Sequence, residues 1–306
     1  MHSDEAAAIE ASIRAAGNPR RAVSERAYLK SDREFCGASA PAVRQIVRAW
    51  CAARPALERD RLLAVTTWLW DRPLFESRRA AVDLLRARPG LLQPADTGLI
   101  EAMLRDSGTW ALVDDLAGHV MGDLTQAYPD LAGVLDRWSL DADFWLRRSA
   151  LLALLGPLRR GDGDFARFSR YADAMLAERE FFIRKAIGWV LRDTARRRPG
   201  LVAEWLAPRV HLASGVSVRE AVKPLPPGVR ELLLAGYREK RPVTLPGTGP
   251  APGQDPSPPQ PELTRPSRGI SALASRRRYQ HADALIAGIR PEIPPLQAIT
   301  AARAAG

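Results

Sequence analysis

The sequence lacks most of what enzymes use to hold metals, nucleotides or nucleophiles. Its 306 residues include only two cysteines, Cys36 and Cys51, in no Cys-x-x-Cys pair. That excludes a disulfide framework and a zinc ribbon, and the two thiols read as reduced. The four histidines (His2, His119, His211, His281) are scattered and none belongs to a His-Glu-x-x-His pair, so no metal site is expected. Gly161-Asp162-Gly163 follows no strand and precedes no Lys-Ser/Thr, which makes it a turn rather than a phosphate loop. No Gly-x-Ser-x-Gly nucleophile elbow occurs. Apolar runs are too short to span a bilayer. Met-His-Ser-Asp-Glu at the N-terminus lacks the basic-then-apolar pattern of a signal peptide. A soluble cytoplasmic protein is expected, needing no small-molecule cofactor.

Runs of β-branched residues are missing too, and apolar residues recur at three and four rather than two. This excludes a sheet and predicts an all-α protein. With 46% hydrophobic residues the chain has material for a real core. Net charge is +10. Residues 241–306 contribute eight Arg against four acids, so the preceding part keeps +6 without them. Excess positive charge favours an anionic partner, although it also suits a merely soluble cationic surface.

Helices are predicted over residues 4–16, over Arg20 to Lys30, and then in succession from Pro41. The breaks fall at Arg54-Pro55, Asp71-Arg72-Pro73, Arg88-Pro89-Gly90, Gly108, Tyr128-Pro129, Gly161-Asp162-Gly163, Pro199-Gly200 and Pro208. Lys223-Pro224-Leu225-Pro226-Pro227-Gly228 ends the array and divides a 1–223 domain from a terminal helix within 224–240. Residues 241–270 hold nine prolines and four glycines, the composition of a disordered linker. Beyond it, Arg276-Arg277-Arg278 with Leu285, Ile286 and Ile289 fits a short basic amphipathic helix, read as a dispensable extension.

An internal repeat organises the array. Pro41-Ala42-Val43-Arg44-Gln45, Phe75-Glu76-Ser77-Arg78-Arg79, Trp110-Ala111-Leu112-Val113-Asp114, Phe144-Trp145-Leu146-Arg147-Arg148, Phe181-Phe182-Ile183-Arg184-Lys185 and Val216-Ser217-Val218-Arg219-Glu220 start 34, 35, 34, 37 and 35 residues apart. This period marks stacked helix pairs, about six of them. Position four is Arg in five motifs and Val113 in the other; position five of that same motif is Asp114. Either Asp114 is a solvated helix residue, or a site interrupts a regular basic scaffold.

Aromatic and polar residues also share faces. Trp110 and Asp114 lie one turn apart, as do Trp145 and Arg148. Phe181, Lys185, Trp189 and Arg192 fall on one helix face, where an apolar core stripe would carry no Lys or Arg. Trp68, Trp138 and Trp205 lack such partners and read as helix-packing core.

These segments resemble a known family. Glu180-Phe181-Phe182-Ile183-Arg184-Lys185-Ala186-Ile187-Gly188-Trp189-Val190-Leu191-Arg192 is similar to the most distinctive segment of the HEAT-like-repeat DNA glycosylases, the AlkD-type DNA alkylation repair enzymes. Tyr28-Leu29-Lys30, Phe35-Cys36-Gly37 and Pro41-Ala42-Val43-Arg44 look like its N-terminal signature. Trp110-x-x-x-Asp114, Trp145-Leu146-x-Arg148 and Ser217-Val218-Arg219-Glu220-Ala221 match further blocks in order, over roughly residues 5–223. The resemblance implies a right-handed α-solenoid of about six HEAT-like repeats with a concave basic face. It implies a monomer that hydrolyses the N-glycosidic bond of cationic alkylated purines, such as 3-methyladenine and 7-methylguanine, in duplex DNA without a tight base-flipping pocket. The family's catalytic carboxylate falls on Asp114, its aromatic residues on Trp110 and Trp189, and its phosphate-contacting Arg on Arg148. Tyr28 matches a further aromatic at the DNA surface, and Lys185, Arg192 and Trp145 join the expected DNA contacts. If the source is bacterial, association with the nucleoid follows. Cys36 departs from the bulkier apolar residue often found before Gly37, and Thr109 from a Trp present in some members.

The chemistry is consistent with that reading. A methylated purine is already cationic and leaves without general-acid help, while positive charge grows on the sugar. A carboxylate stabilises that charge and orients water, and indole faces attract cations by roughly 0.5–2 kcal/mol. Charge and repeats alone suit two other readings equally well: an inactive HEAT-like binder of bent or branched DNA, and a protein-interaction scaffold. Asp114 together with Trp110 and Trp189 is what separates the enzyme from the first, and absence of affinity for duplex DNA would favour the second.

Overall fold

The computed structural model describes residues 2–246. They belong to one compact unit, Met1–Gly249, and form an all-α, solenoid-like array. There is no strand among the described residues, only a single β-bridge between Glu34 and Leu74. The expected linker and basic helix lie, from residue 247 onward, outside the described residues.

The chain opens with α1 (His2–Ala15), α2 (Pro19–Leu29), α3 (Ala40–Ala52), α4 (Arg59–Trp70), α5 (Phe75–Ala87) and α6 (Thr97–Asp106). Then α7 (Trp110–Asp115) runs through a π-helical stretch, Leu116–Met121, into α8 (Gly122–Ala127). After it come α9 (Ala132–Ser139), α10 (Phe144–Ala153), α11 (Leu155–Arg160), α12 (Phe165–Met175) and α13 (Phe181–Ala195). The described part closes with α14 (Pro199–Leu206), α15 (Gly215–Ala221) and α16 (Pro227–Glu239).

Each of the six repeated motifs forms the first turn of a helix: α3, α5, α7, α10, α13 and α15. The reason is local. Ser39, Thr109, Asp143, Glu180 and Ser214 stand at the N-caps of five of them, each side chain accepting from a backbone N–H of the first turn. The sixth, α5, starts instead where Phe75 N–H meets the Glu34 carbonyl. The motif's third residue is buried in all six. These helices pack in succession, α3 on α5, α5 on α7, α7 on α10, α10 on α13 and α13 on α15. A second layer lies behind them, with α4 on α5, α9 and α12 on α10, α14 on α13 and α16 on α15.

The sequence period reappears as a hydrogen-bond register. Arg59 reaches Asp96, Arg105 reaches Asp141, Trp138 reaches Glu101 and Arg209 reaches Asp173, at separations of 37, 36, 37 and 36 residues. Three of the five fourth-position arginines serve their own repeat. Arg78, Arg147 and Arg184 each fold back to the carbonyl six residues earlier, those of Arg72, Asp141 and Glu178, tying down the turn before their own helix. Val113, which stands in that column, is fully buried. Its turn is tied from outside, because Arg33 and Arg78 both donate to the Asp106 carbonyl.

Residues after 223 continue the packing. Leu233 and Val243 are buried, and Val243 N–H donates to Ala207. No helix among the described residues is long and apolar enough to cross a membrane.

Candidate active site

The site is built on α7. Thr109 caps it, its hydroxyl accepting from Ala111 N–H, and is itself buried. The departure at this position thus has a structural use. One turn separates Trp110 from Asp114, so both point along one face. Trp110 stays half-buried, and the Tyr28 ring of α2 stands edge-on to it, centroids 6.1 Å apart at 88°. Tyr28 is 62% exposed, and α2 buries none of its residues.

Asp114 is held from the next repeat. Arg148 Nε and Nη2 donate to its two oxygens at 2.8 and 2.9 Å, and Arg148 Nη1 donates to the Phe182 carbonyl one repeat further on. Arg148 is 3% exposed, while the Asp114 side chain keeps 17%. Burial pushes the Asp114 carboxyl above its usual range, and the Arg148 guanidinium pulls it back. Asp115 diverges. It pairs with Arg86 at 3.0 Å and Arg79 at 3.6 Å on the preceding repeat.

On α13, Lys185 and Arg192 both reach Glu220 of α15, which also accepts from Lys223. Burial raises the Glu220 carboxyl, but the hydrogen bonds from Lys185 and Lys223 and the charge of Arg192 outweigh it and hold the group at about 2. Gly188 eases this contact: a Cβ there would lie 3.0 Å from Glu220 Cβ and Ser217 Cα, so any larger residue would push the two helices apart by a few tenths of an ångström. Trp189, on the same helix, is half-buried and donates its indole N–H to Asp193 at 3.1 Å.

Two expected DNA contacts are placed differently from the sequence reading. Trp145 is 5% exposed and packs on Phe144 and Phe182, centroids 4.4 and 4.9 Å away. It is the second residue of its motif, about 100° round from the position that Trp110 holds in its own. Arg148 lies beneath the surface with its donors committed to Asp114 and Phe182. Lys185, at 40% exposure, and Arg192 remain accessible. A further correction concerns Trp68 and Trp205, which do have polar partners: Arg72 and Arg209, each four residues on, stack over them at 4.1 and 4.9 Å.

Sequence reasoning missed Glu220 and Asp193 as organising carboxylates, although Glu220 occupies the same motif position as Asp114. It also missed Glu76, buried on α5, which accepts from the backbone N–H groups of Cys36 and Gly37. Gly37 sits at φ 78°, and a Cβ there would meet the Asn18 carbonyl at 2.1 Å. The turn therefore depends on glycine and on Glu76, and a small Cys36 fits beside them.

Among solved structures, a predicted DNA alkylation repair enzyme from Enterococcus faecalis superposes with a TM-score of 0.63 at 22% identity. The match covers 69% of this chain and 97% of that one, and the two share a fold. No curated protein matches the chain significantly. The family model described as DNA alkylation repair enzyme matches residues 9–225, the segment that carries every motif above. The chain belongs to the DNA alkylation repair enzyme family.

Proposed function

We propose that this family member is a monofunctional DNA glycosylase. It hydrolyses the N-glycosidic bond of cationic alkylated purines, 3-methyladenine and 7-methylguanine, in duplex DNA. The observation that carries the reading is the Asp114 carboxylate, gripped by buried Arg148 and set one turn from half-buried Trp110. A purine alkylated at N3 or N7 already carries the charge that makes it leave. What remains is to stabilise the oxocarbenium character of the sugar and deliver water. A carboxylate fixed before the reaction does this without reorganising, and the faces of Trp110 and Trp189 attract the cationic sugar and base. In this reading Arg148 holds the carboxylate rather than a phosphate. Lys185 and Arg192, with Tyr28, meet the duplex backbone on a basic concave face. The protein works as a monomer on alkylated duplex DNA, with no cofactor.

The test is incubation with methylated duplex DNA, followed by chromatography of the released bases. Release of 7-methylguanine and 3-methyladenine is expected, including in EDTA. Strict metal dependence, or no release at all, would falsify the reading.

A further inference from the structure

Asp193 is a buried carboxylate that the chemistry above leaves unused. It is 3% exposed and sits on α13, one turn beyond Trp189. Its oxygens take four hydrogen bonds. Trp189 Nε1 donates at 3.1 Å, Arg159 Nε and Nη2 at 2.9 and 2.6 Å, and Arg192 Nε at 3.1 Å. Two of the three donors come from α13 itself, and Arg159 arrives from α11, 34 residues earlier.

Part of this is repeat architecture. Arg159–Asp193, 34 residues apart, comes close to the 36-residue separation of other staples between repeats, Arg105–Asp141 and Arg209–Asp173. The indole is what sets it apart. Two other tryptophans donate to carboxylates, Trp70 to Asp106 and Trp138 to Glu101, and both rings are buried. Packing fixes a buried indole whatever its N–H does. Trp189 is half-buried, so packing restrains its ring less than theirs, and its N–H bond adds a directional restraint. A charge-assisted bond of this kind is stronger than a neutral one. The same carboxylate gathers Arg159 and Arg192, two partly exposed cations, beside that ring.

We infer that Asp193 is a positioning residue, fixing the Trp189 indole against the lesion-bearing nucleotide through its Nε1–H. The inference rests on the glycosylase reading. Asp193 does not touch the substrate; it acts through Trp189. Misplacing a group that sits against the reacting centre costs rate rather than affinity.

A double-mutant cycle tests this against a merely structural role. Single-turnover release of 7-methylguanine would be measured at saturating enzyme for wild type, Asp193→Ala, Trp189→Phe and the double variant, with duplex Kd and melting temperature alongside. Phe keeps an aromatic face and removes the N–H. Asp193→Ala is expected to slow release about tenfold with little change in Kd, and to have no further effect once Trp189 is Phe. Asp193→Asn keeps an acceptor for the indole and should restore most of the rate, besides covering the case in which the Ala variant unfolds. In nitrogen-resolved NMR, the Trp189 indole resonance, identified by its loss in Trp189→Phe, should move in Asp193→Ala and much less in Asp193→Asn. Additive rate losses, or an Asn variant as slow as Ala, would overturn the inference while leaving the glycosylase reading intact. Wild-type protein that releases no methylated purine would overturn both.

Discussion

Asp114 and Arg148 occupy the same position in two successive repeats, 34 residues apart, and meet through a bidentate pair at 2.8 and 2.9 Å. One step along that column, Lys185 and Glu220 do the same at 2.9 Å. The last four positions of the column therefore run as two ion pairs, and only the first has its carboxylate one turn from a half-buried indole. Stacking repeats of one length brings equivalent positions together, so a single carboxylate in a basic column finds its counter-ion in the next unit without any special loop.

Asp114→Asn removes the charge and keeps the shape. Single-turnover release of 7-methylguanine is expected to fall by about 10²–10³, the scale for losing one preorganised electrostatic group. Because Arg148 is buried, the variant also loses stability, by about 1–2 kcal/mol for Asn, which still offers one acceptor, and about 3–5 kcal/mol for Ala. Rates are to be compared well below both melting temperatures. Asp115→Asn should cost far less rate, since Asp115 faces Arg79 and Arg86 instead. Equal losses at 114 and 115 would show a general charge effect.

The pH dependence follows from the same pair. The ionised carboxylate is the active form, so release slows as pH falls through the Asp114 pKa. Burial places that pKa above the ordinary 3.8, and Arg148 restrains the rise. Arg148→Gln removes the restraint, so its acid limb should sit at higher pH than that of wild type. A single-turnover series run from neutral pH down through the acid range compares the limb in both proteins. An unmoved limb would take Asp114 out of the mechanism.

How much of this was legible beforehand depended on the kind of pattern. The six helix starts could be read from the spacing of Pro41, Phe75, Trp110, Phe144, Phe181 and Val216, because capping and a buried third residue are local properties. Trp110 and Asp114 could be placed on one face by helical period alone. Partners were not legible: that Lys185 and Arg192 converge on Glu220 depends on how closely α13 and α15 approach, an approach that Gly188 eases. Trp145 was misread because a one-residue offset within a motif turns a side chain by about 100°, from the face into the core. Nor does the repeated fourth-position arginine reveal its use in sequence: Arg78, Arg147 and Arg184 spend donors on the turns before their own helices.

Salt dependence separates surface cations from buried ones. Lys185 is accessible, so Lys185→Ala should weaken duplex binding across sequences and reduce the log–log salt slope by about 0.9. Arg148→Ala should leave that slope unchanged while slowing base release, because its guanidinium lies beneath Asp114. Titrations of a fluorescent duplex at several salt concentrations measure both. A slope change for Arg148 with none for Lys185 would reverse the assignment.

The last prediction concerns Glu220 and acid stability. Its carboxyl titrates at about 2 in the folded protein against 4.5 when unperturbed. A depressed folded pKa means that the unfolded chain binds the proton first as pH falls. The pairing with Lys185, Lys223 and Arg192 thus contributes its full stabilisation above about pH 4.5 and loses it progressively as pH drops towards 2. Glu220→Gln lacks that term at every pH. The difference in unfolding free energy between wild type and variant should accordingly be constant near neutrality, narrow between pH 4.5 and 2, and approach its minimum below that. Urea melts at a series of pH values give the difference directly. The contrast with Asp114 is one of sign: burial raises its carboxyl, so that group favours the protonated folded state as pH falls. A Glu220 difference that stays flat through this window would mean that the three cations do not hold the carboxylate in solution, and α13 would then owe its docking on α15 to apolar packing and to the Ser217 hydroxyl, which donates to the Arg184 carbonyl.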